Sequence, residues 1–254
     1  AVPGNIQCTV TMTAGTDEYP FQEEETINLD LTLSQFGFPL DGIVVKSSPI
    51  VADLDSDGVK EIYFGSDNEA LHGYNSFGEE IDGFPFQSTD RVRSSAAVGD
   101  VDNDGQMEIV FGNSSGKLYI VNHDGSQQLA YTILGFIEGS PALIDMDGDQ
   151  DLEIVFTTTT TSGGQLYAIH HNGITMSGFP KELGSMWAGP AVHDIDNDGV
   201  HDIICTTYDK EIYAIDVNGG VIKPGFPVAL EGRLDISPTV VDVDSDGAVS
   251  YTHL

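Results

Sequence analysis

The stretch Asp53-Leu54-Asp55-Ser56-Asp57-Gly58-Val59-Lys60-Glu61-Ile62 alternates three aspartates, turns at a glycine in sixth place and presents a carboxylate in ninth. Alternating carboxylates in a tight loop converge on one point, and glycine at place six permits the sharp turn. The string begins again at Asp100, Asp145, Asp194 and Asp242, at intervals of 47, 45, 49 and 48 residues. A recurrence of that length marks a solenoid or a propeller.

Other features keep the same beat. Gly-Phe-Pro occurs at Gly37, Gly83, Gly178 and Gly225, with Gly135-Phe136-Ile137 as a degenerate copy. Pairs such as Leu71-His72, Leu118-Tyr119, Leu166-Tyr167 and Ile212-Tyr213 lead, seven places on, to turn glycines at 78, 125, 173 and 219. One repeat reads as four short strands. The first is small and apolar (Pro49 to Ala52) and ends in the aspartate loop; the second is Glu61 to Phe64. The third runs into the Asn/Gly turn, and the fourth carries Gly-Phe-Pro. No segment keeps a helical period, so the expected fold is all-β: a β-propeller of four-stranded antiparallel blades. Four full repeats and a truncated fifth do not make a usual ring. The count fits either a fragment of a ring of about seven blades or closure by strands from residues 1–34.

Oxygen-only ligands select a hard cation, and several flexible carboxylates suit calcium better than the rigid octahedron of magnesium. The expected ligands of loop one are Asp53, Asp55, Asp57, the Val59 carbonyl and Glu61; of loop two, Asp100, Asp102, Asp104, the Gln106 carbonyl and Glu108. Loop three offers Asp145, Asp147, Asp149, Asp151 and Glu153, with Gln150 where the turn glycine should be, strained if its φ is positive. Loop four offers Asp194, Asp196, Asp198, the Val200 carbonyl and Asp202. A fifth loop has Asp242, Asp244 and Asp246 but ends in Ser250, so a weak or empty site is expected there. An EF-hand is excluded. Its twelfth place needs a bidentate glutamate, and here that place is Phe64, Phe111, Phe156 or Cys205. Solvated turn aspartates are the alternative, but converging carboxylates repel one another without a cation.

These loops, the small apolar strand before each and the 45–49-residue beat resemble the FG-GAP/VCBS repeat family over about residues 35–249. The resemblance implies calcium-binding propeller blades with ligands at places one, three, five, seven and nine. It leaves the activity open, because the family includes adhesion modules, lectins and propellers attached to polysaccharide lyases.

The chain carries 41 acidic against 9 basic residues, a formal charge of −32. That field repels nucleic acid and anionic membranes, while four dications would offset only a quarter of it. No apolar run reaches membrane-spanning length, and no signal peptide opens the chain. Cys8 and Cys205 could form at most one disulfide; Cys205, in an apolar run, reads as a buried free thiol. Residues 1–34 lack the repeat. Two alternating segments there, Val10–Thr13 and Ile27–Leu33, suggest strands flanking an acidic turn from Thr16 to Glu25. They read as the end of a preceding domain or as a partial blade, with residues 35–254 as the propeller.

What repeats in every blade holds the scaffold, and binding belongs to loops that differ. The residue seven places before each first aspartate is Lys46, Arg93, Glu138, Trp187 or Asp235, a different chemistry each time. Together with Tyr208, these form the expected ligand face, on the opposite end from the carboxylate loops. Trp187 and Tyr208 could stack on sugars or partner side chains. The histidines at 170, 171, 193 and 201 lack catalytic spacing and read as packing or exposed residues. The expectation is a calcium-binding, extracellular, non-catalytic module for protein or glycan recognition. Its competitors are a propeller of a secreted polysaccharide lyase or hydrolase and a structural spacer.

Overall fold

The computed structural model describes residues 4–16, 19–31, 37–38, 40–234, 236–241 and 250–251. The chain divides between Asp41 and Gly42 into two units. The first is a long antiparallel hairpin, β1 (Gly4–Thr16) with β2 (Tyr19–Leu31). Its register corrects the acidic turn expected over Thr16 to Glu25. Glu23, Glu24 and Glu25 are strand residues opposite Met12, Thr11 and Val10. A run of like charges resembles a loop in composition, yet the backbone pairs through it in register with β1.

The second unit is built from four antiparallel four-stranded sheets, here called blades. Blade one is β3 (Ile50–Ala52), β4 (Glu61–Gly65), β5 (Ala70–Tyr74) and β6 (Phe86–Gln87). Blade two is β7 (Ala97–Gly99), β8 (Glu108–Gly112), β9 (Lys117–Asn122) and β10 (Gln127–Thr132). Blade three is β11 (Ala142–Ile144), β12 (Glu153–Thr157), β13 (Gln165–Ile169) and β14 (Lys181–Glu182). Blade four is β15 (Ala191–His193), β16 (Asp202–Thr206), β17 (Glu211–Asp216) and β18 (Val228–Ala229). A further pair, β19 (Val240–Val241) with β20 (Ser250–Tyr251), follows. The all-β expectation holds: no helix occurs among the described residues.

The second strand of each blade explains how the blades stack. Successive side chains point to opposite faces of a strand. In β8, Ile109 and Phe111 join Tyr63, Leu71 and Val92 between blades one and two, while Val110 turns to Ile137, Ile154 and Phe156 between blades two and three. In β12, Val155 turns the other way, to Leu166, Met186, Ile203 and Cys205. A strand buried on both faces needs an unbroken apolar run, which Ile-Val-Phe supplies. Rings reinforce these layers: Phe156 stacks on Tyr167 at 5.0 Å and 8°, and Phe111 on Tyr119 at 5.3 Å. Cys205 is a free, fully buried thiol, its pKa pushed up to about 12 by burial.

The first strands lie side by side, β7 against β11, β11 against β15 and β15 against β19. Small hydroxyls tie their starts together: Ser94 Oγ donates to the Gly139 carbonyl at 2.9 Å, and Ser95 Oγ accepts the Ser48 N–H at 2.8 Å.

The fourth strand departs from expectation. Gly-Phe-Pro does not lie within it but interrupts it. Blades one, three and four have an isolated bridge (Tyr74–Glu80, Ile169–Thr175, Ile215–Ile222), then the triplet, then a two-residue strand. Blade two, with Gly135-Phe136-Ile137, instead runs a six-residue β10 whose register with β9 shifts between Gln127 and Leu129. The triplet's glycine has a packing role: at φ 86°, Gly83 lies against the Asp124–Gly125 turn of the next blade, with no room for a Cβ.

Gly112 makes the same point in the core, where a Cβ would fall inside the Ile137 side chain. Gly112→Ala is expected to cost about 1–3 kcal/mol in urea unfolding, the usual cost of overpacking. Gly105→Ala meets open space at positive φ and should cost no more than about 1–2 kcal/mol.

Candidate functional site

Each carboxylate loop joins the first strand of a blade to its second, and the four described loops share one backbone design. Places four and six take positive φ: Ser56 and Gly58, Asn103 and Gly105, Gly148 and Gln150, Asn197 and Gly199. These two residues turn backbone N–H groups inward onto the first aspartate. Asp53 accepts from Gly58 at 3.0 Å, Asp100 from Asp104 and Gly105 at 3.0 and 2.9 Å, and Asp194 from Asp198 and Gly199 at 3.2 and 2.9 Å. In loop three the glycine has moved to place four. Gln150 therefore holds φ 82° with a full side chain, as expected, and its N–H still reaches Asp145 at 3.2 Å.

The place-five carboxylate accepts the N–H of place seven in every described loop: Asp57 from Val59, Asp104 from Gln106, Asp149 from Asp151 and Asp198 from Val200. The place-nine carboxylate opens the second strand and is buried: Glu61, Glu108, Glu153 and Asp202 are 7, 2, 0 and 0 % exposed. It accepts the N–H of place two at Val101, Met146 and Ile195 (2.9, 2.7 and 3.3 Å). Burial pushes the carboxyls of Glu108 and Glu153 up to about 7, with neighbouring aspartates adding to the shift, and raises those of Glu61 and Asp202 as well.

The loops differ in what meets the negative charge. Asp53, Asp55 and Asp57 each place an oxygen within 4.8 Å of the others, as do Asp100, Asp102 and Glu108. Loop one leaves Asp53 Oδ1 and Glu61 Oε2 buried without a hydrogen-bond partner, under a hollow of about 530 Å³ that Ile81 helps to line. Unpartnered buried carboxylate oxygens around one point fit a calcium ion, so the residues of loop one suit it. Loop two leaves Asp102 Oδ1 unpartnered, while the Gln128 amide donates to Asp102 Oδ2 at 2.9 Å.

Loop three gathers Asp145, Asp147 and Asp149, and also Asp149, Asp151 and Glu153. Two imidazoles join it: His170 Nδ1 lies 3.0 Å from Glu153 Oε1, and His171 Nδ1 lies 2.8 Å from Asp151 Oδ2. In loop four, Lys223 Nζ lies 2.8, 3.3 and 3.1 Å from Asp196, Asp198 and Asp202. The fifth-loop residues Asp242, Asp244 and Asp246, like Asp235, lie outside the described residues.

The partners His170, Gln128 and Lys223 escaped the sequence reading, although a signal existed for two of them. Strand pairing sets place nine opposite the end of the third strand, as in Glu108–Asn122 and Asp202–Asp216, and His170 holds that position in blade three. Lys223 stands two residues before Gly225, where Ile81 and Met176 stand before Gly83 and Gly178.

At the other end of the strands lie the residues that vary. The lead-in to each blade binds that blade's own turn between second and third strands: Asp67 N–H donates to Val44, Ser114 to Arg91, Thr159 to Phe136 and Tyr208 to Ser185, while Val92 N–H donates to Ser66 and Ile137 to Asn113 of the blade before, all as backbone bonds. The variable side chains pair across the same seams. Arg93 donates twice to Asp67, at 2.8 and 3.2 Å, and Glu138 accepts from Ser114 Oγ at 2.8 Å. Arg93, with Arg91 and Lys46 adding, holds the Asp67 carboxyl below its ordinary range. Lys46 is exposed. Trp187 is 44 % exposed, and Arg233 lies over the Tyr208 ring at 4.2 Å. Lys46 thus acts on Asp67 and Glu138 on Arg93, while Arg93 and Glu138 are already partnered. The swollen loop of the third repeat is ordered from within: Thr157, Thr158 and Thr159 are buried, and Thr157 Oγ1 donates to the Ala188 carbonyl.

Two predictions follow from the loop geometry. Gln150→Gly should raise stability by about 0.5–1 kcal/mol in thermal unfolding, because relief of the left-handed backbone outweighs the entropy glycine adds to the unfolded chain. The buried glutamates set a pH dependence. Their folded pKa, about 7, lies above the ordinary 4.5. Their contribution is therefore complete below pH 4.5 and lost as pH rises through 7. In calcium-free buffer the melting temperature should fall between pH 5 and pH 8, and Glu108→Gln should flatten that fall.

Comparison with known proteins places these blades. The model of the FG-GAP-like repeat matches residues 100–156 and 145–205. No curated protein matches the sequence. Among solved structures, the Vibrio cholerae biofilm matrix protein Bap1 superposes with TM-score 0.60 at 20 % identity, over 81 % of this chain and 34 % of its own. The Pseudomonas aeruginosa PilY1 C-terminal domain gives 0.57 at 16 %, over 72 % and 49 %. BBS1N in complex with ARL6DN gives 0.56 at 11 %, over 79 % and 60 %. The chain thus spans between a third and three-fifths of these proteins, and at such identities the likeness is one of fold. Residues 100–205 thus carry FG-GAP-like repeats, and the antiparallel four-stranded blades share the fold of β-propeller proteins.

Proposed function

We propose that this chain is a non-catalytic recognition module of an extracellular propeller, with calcium fastening one end of its blades and a protein or glycan ligand bound at the other. The observation that carries the reading is the division of labour between the two ends. The carboxylate loops repeat one geometry four times, whereas the facing turns present a different side chain in each blade. Loop one would hold an ion through Asp53, Asp55, Asp57 and Glu61, of which Asp53 Oδ1 and Glu61 Oε2 otherwise lack partners. Loop two would add Asp100, Asp102 and Glu108. The ion would supply charge neutralisation, drawing the first strand, the loop and the second strand together.

Loops of this exposed kind bind calcium at about 0.1–1 mM, a concentration found outside cells and not in cytosol. That supports an extracellular setting, as does likeness in fold to a biofilm matrix protein. No helix among the described residues is long and apolar enough to cross a membrane. On the opposite end, Trp187 offers an exposed indole for stacking and Lys46 an exposed ammonium.

At millimolar calcium each occupied loop should add roughly 0.5–1.5 kcal/mol. Chelator should therefore lower the melting temperature by several degrees at pH 7.5, and an unchanged value would remove calcium from the account. A glycan array and a surface-protein binding screen test the other end. Trp187→Ala should cut binding about tenfold or more without altering the calcium-dependent melting shift. Release of reducing sugar or unsaturated product by the wild type would favour an enzyme instead.

A further inference from the structure

The four described loops have the same backbone, but the fourth already contains a cation. Lys223 reaches it from the bridge that precedes Gly225, its own N–H donating to the Ala214 carbonyl at 2.9 Å. The matching N–H groups of Ile81 and Met176 donate to Gly73 and Ala168, which fixes the three residues as equivalents. Ile81 lines the hollow over loop one. Lys223 instead sends its ammonium among the carboxylates at places three, five and nine, within 2.8–3.3 Å of each. The side chain is 10 % exposed, and Asp202, its innermost partner, is wholly buried.

A dication bound at that point would have to sit beside this ammonium or expel it, and the three carboxylates it needs are the ones the ammonium already pairs with. We infer that loop four binds no divalent cation and that Lys223 is its resident counter-charge, so blade four is fastened independently of calcium. This rests on reading the other loops as calcium sites only for the contrast it draws; the fastening by Lys223 stands on geometry alone. On this inference loop four, expected from sequence to hold calcium through Asp194, Asp196, Asp198, the Val200 carbonyl and Asp202, would differ from loops one and two.

Hydrogen exchange on the whole chain tests it, with the wild type compared to Lys223→Met, the residue blade three uses at this place. In calcium-free buffer the variant should exchange residues 194–202 about tenfold faster or more, with 53–61 unaltered. Equal exchange in the two proteins would overturn the inference. Addition of about 1 mM calcium should slow 53–61 in the wild type and leave 194–202 unchanged, while in the variant it should slow 194–202 as well. Slowing of 194–202 in the wild type would overturn the inference even if the variant failed to fold. Calcium without effect on 53–61 would sink the calcium reading of loop one, and the calcium-free comparison would still decide the role of Lys223.

Discussion

Converging carboxylates repel one another, and every blade is built around that repulsion. The loop turns its aspartates inward, and the second strand opens with a buried carboxylate that would rather be neutral; Glu108 and Glu153 titrate near 7 for that reason. Backbone N–H groups at places two, six and seven offset part of the charge. The remainder is met differently in each blade. Loop one leaves oxygens without partners, loop two accepts an amide from Gln128, loop three takes two imidazoles and loop four an ammonium. Identical backbones thus meet the same charge with different side chains: two buried oxygens lack a hydrogen-bond partner in loop one and one in each of the other three loops, and in loop four that oxygen, Asp202 Oδ1, is ion-paired to Lys223.

The periodic features were legible because they are backbone requirements. A glycine or asparagine at most positions where φ is positive, an apolar triplet in the second strand and an aspartate facing inward recur from repeat to repeat, so the repeats printed the blade. Even the strain at Gln150 could be read, because the other loops have glycine there. Features made between elements were not legible. Gly-Phe-Pro looked like a strand, but its glycine serves the turn of the next blade, a contact that no single repeat contains. Glu23 to Glu25 looked like a turn because like charges seldom line a strand, and the long partner β1 fixes them there.

The two ends of the blades show the same contrast in chemistry. At the carboxylate end a substitution changes how charge is balanced; at the other it changes what is displayed. Sequence comparison located both ends and could not say which displayed groups were already spent. Arg93 and Glu138 vary as a ligand face would, yet each is paired with the turn of the preceding blade. Trp187 and Lys46 retain exposed chemistry, which narrows the proposed ligand face to fewer residues than variability alone suggested.

The measurement that bears most directly on this account is an anomalous difference map from crystals grown in millimolar calcium. The account predicts a peak among Asp53, Asp55, Asp57 and Glu61, and ammonium without a peak among Asp196, Asp198 and Asp202. A bare loop one, or an ion in loop four with Lys223 turned away, would contradict it.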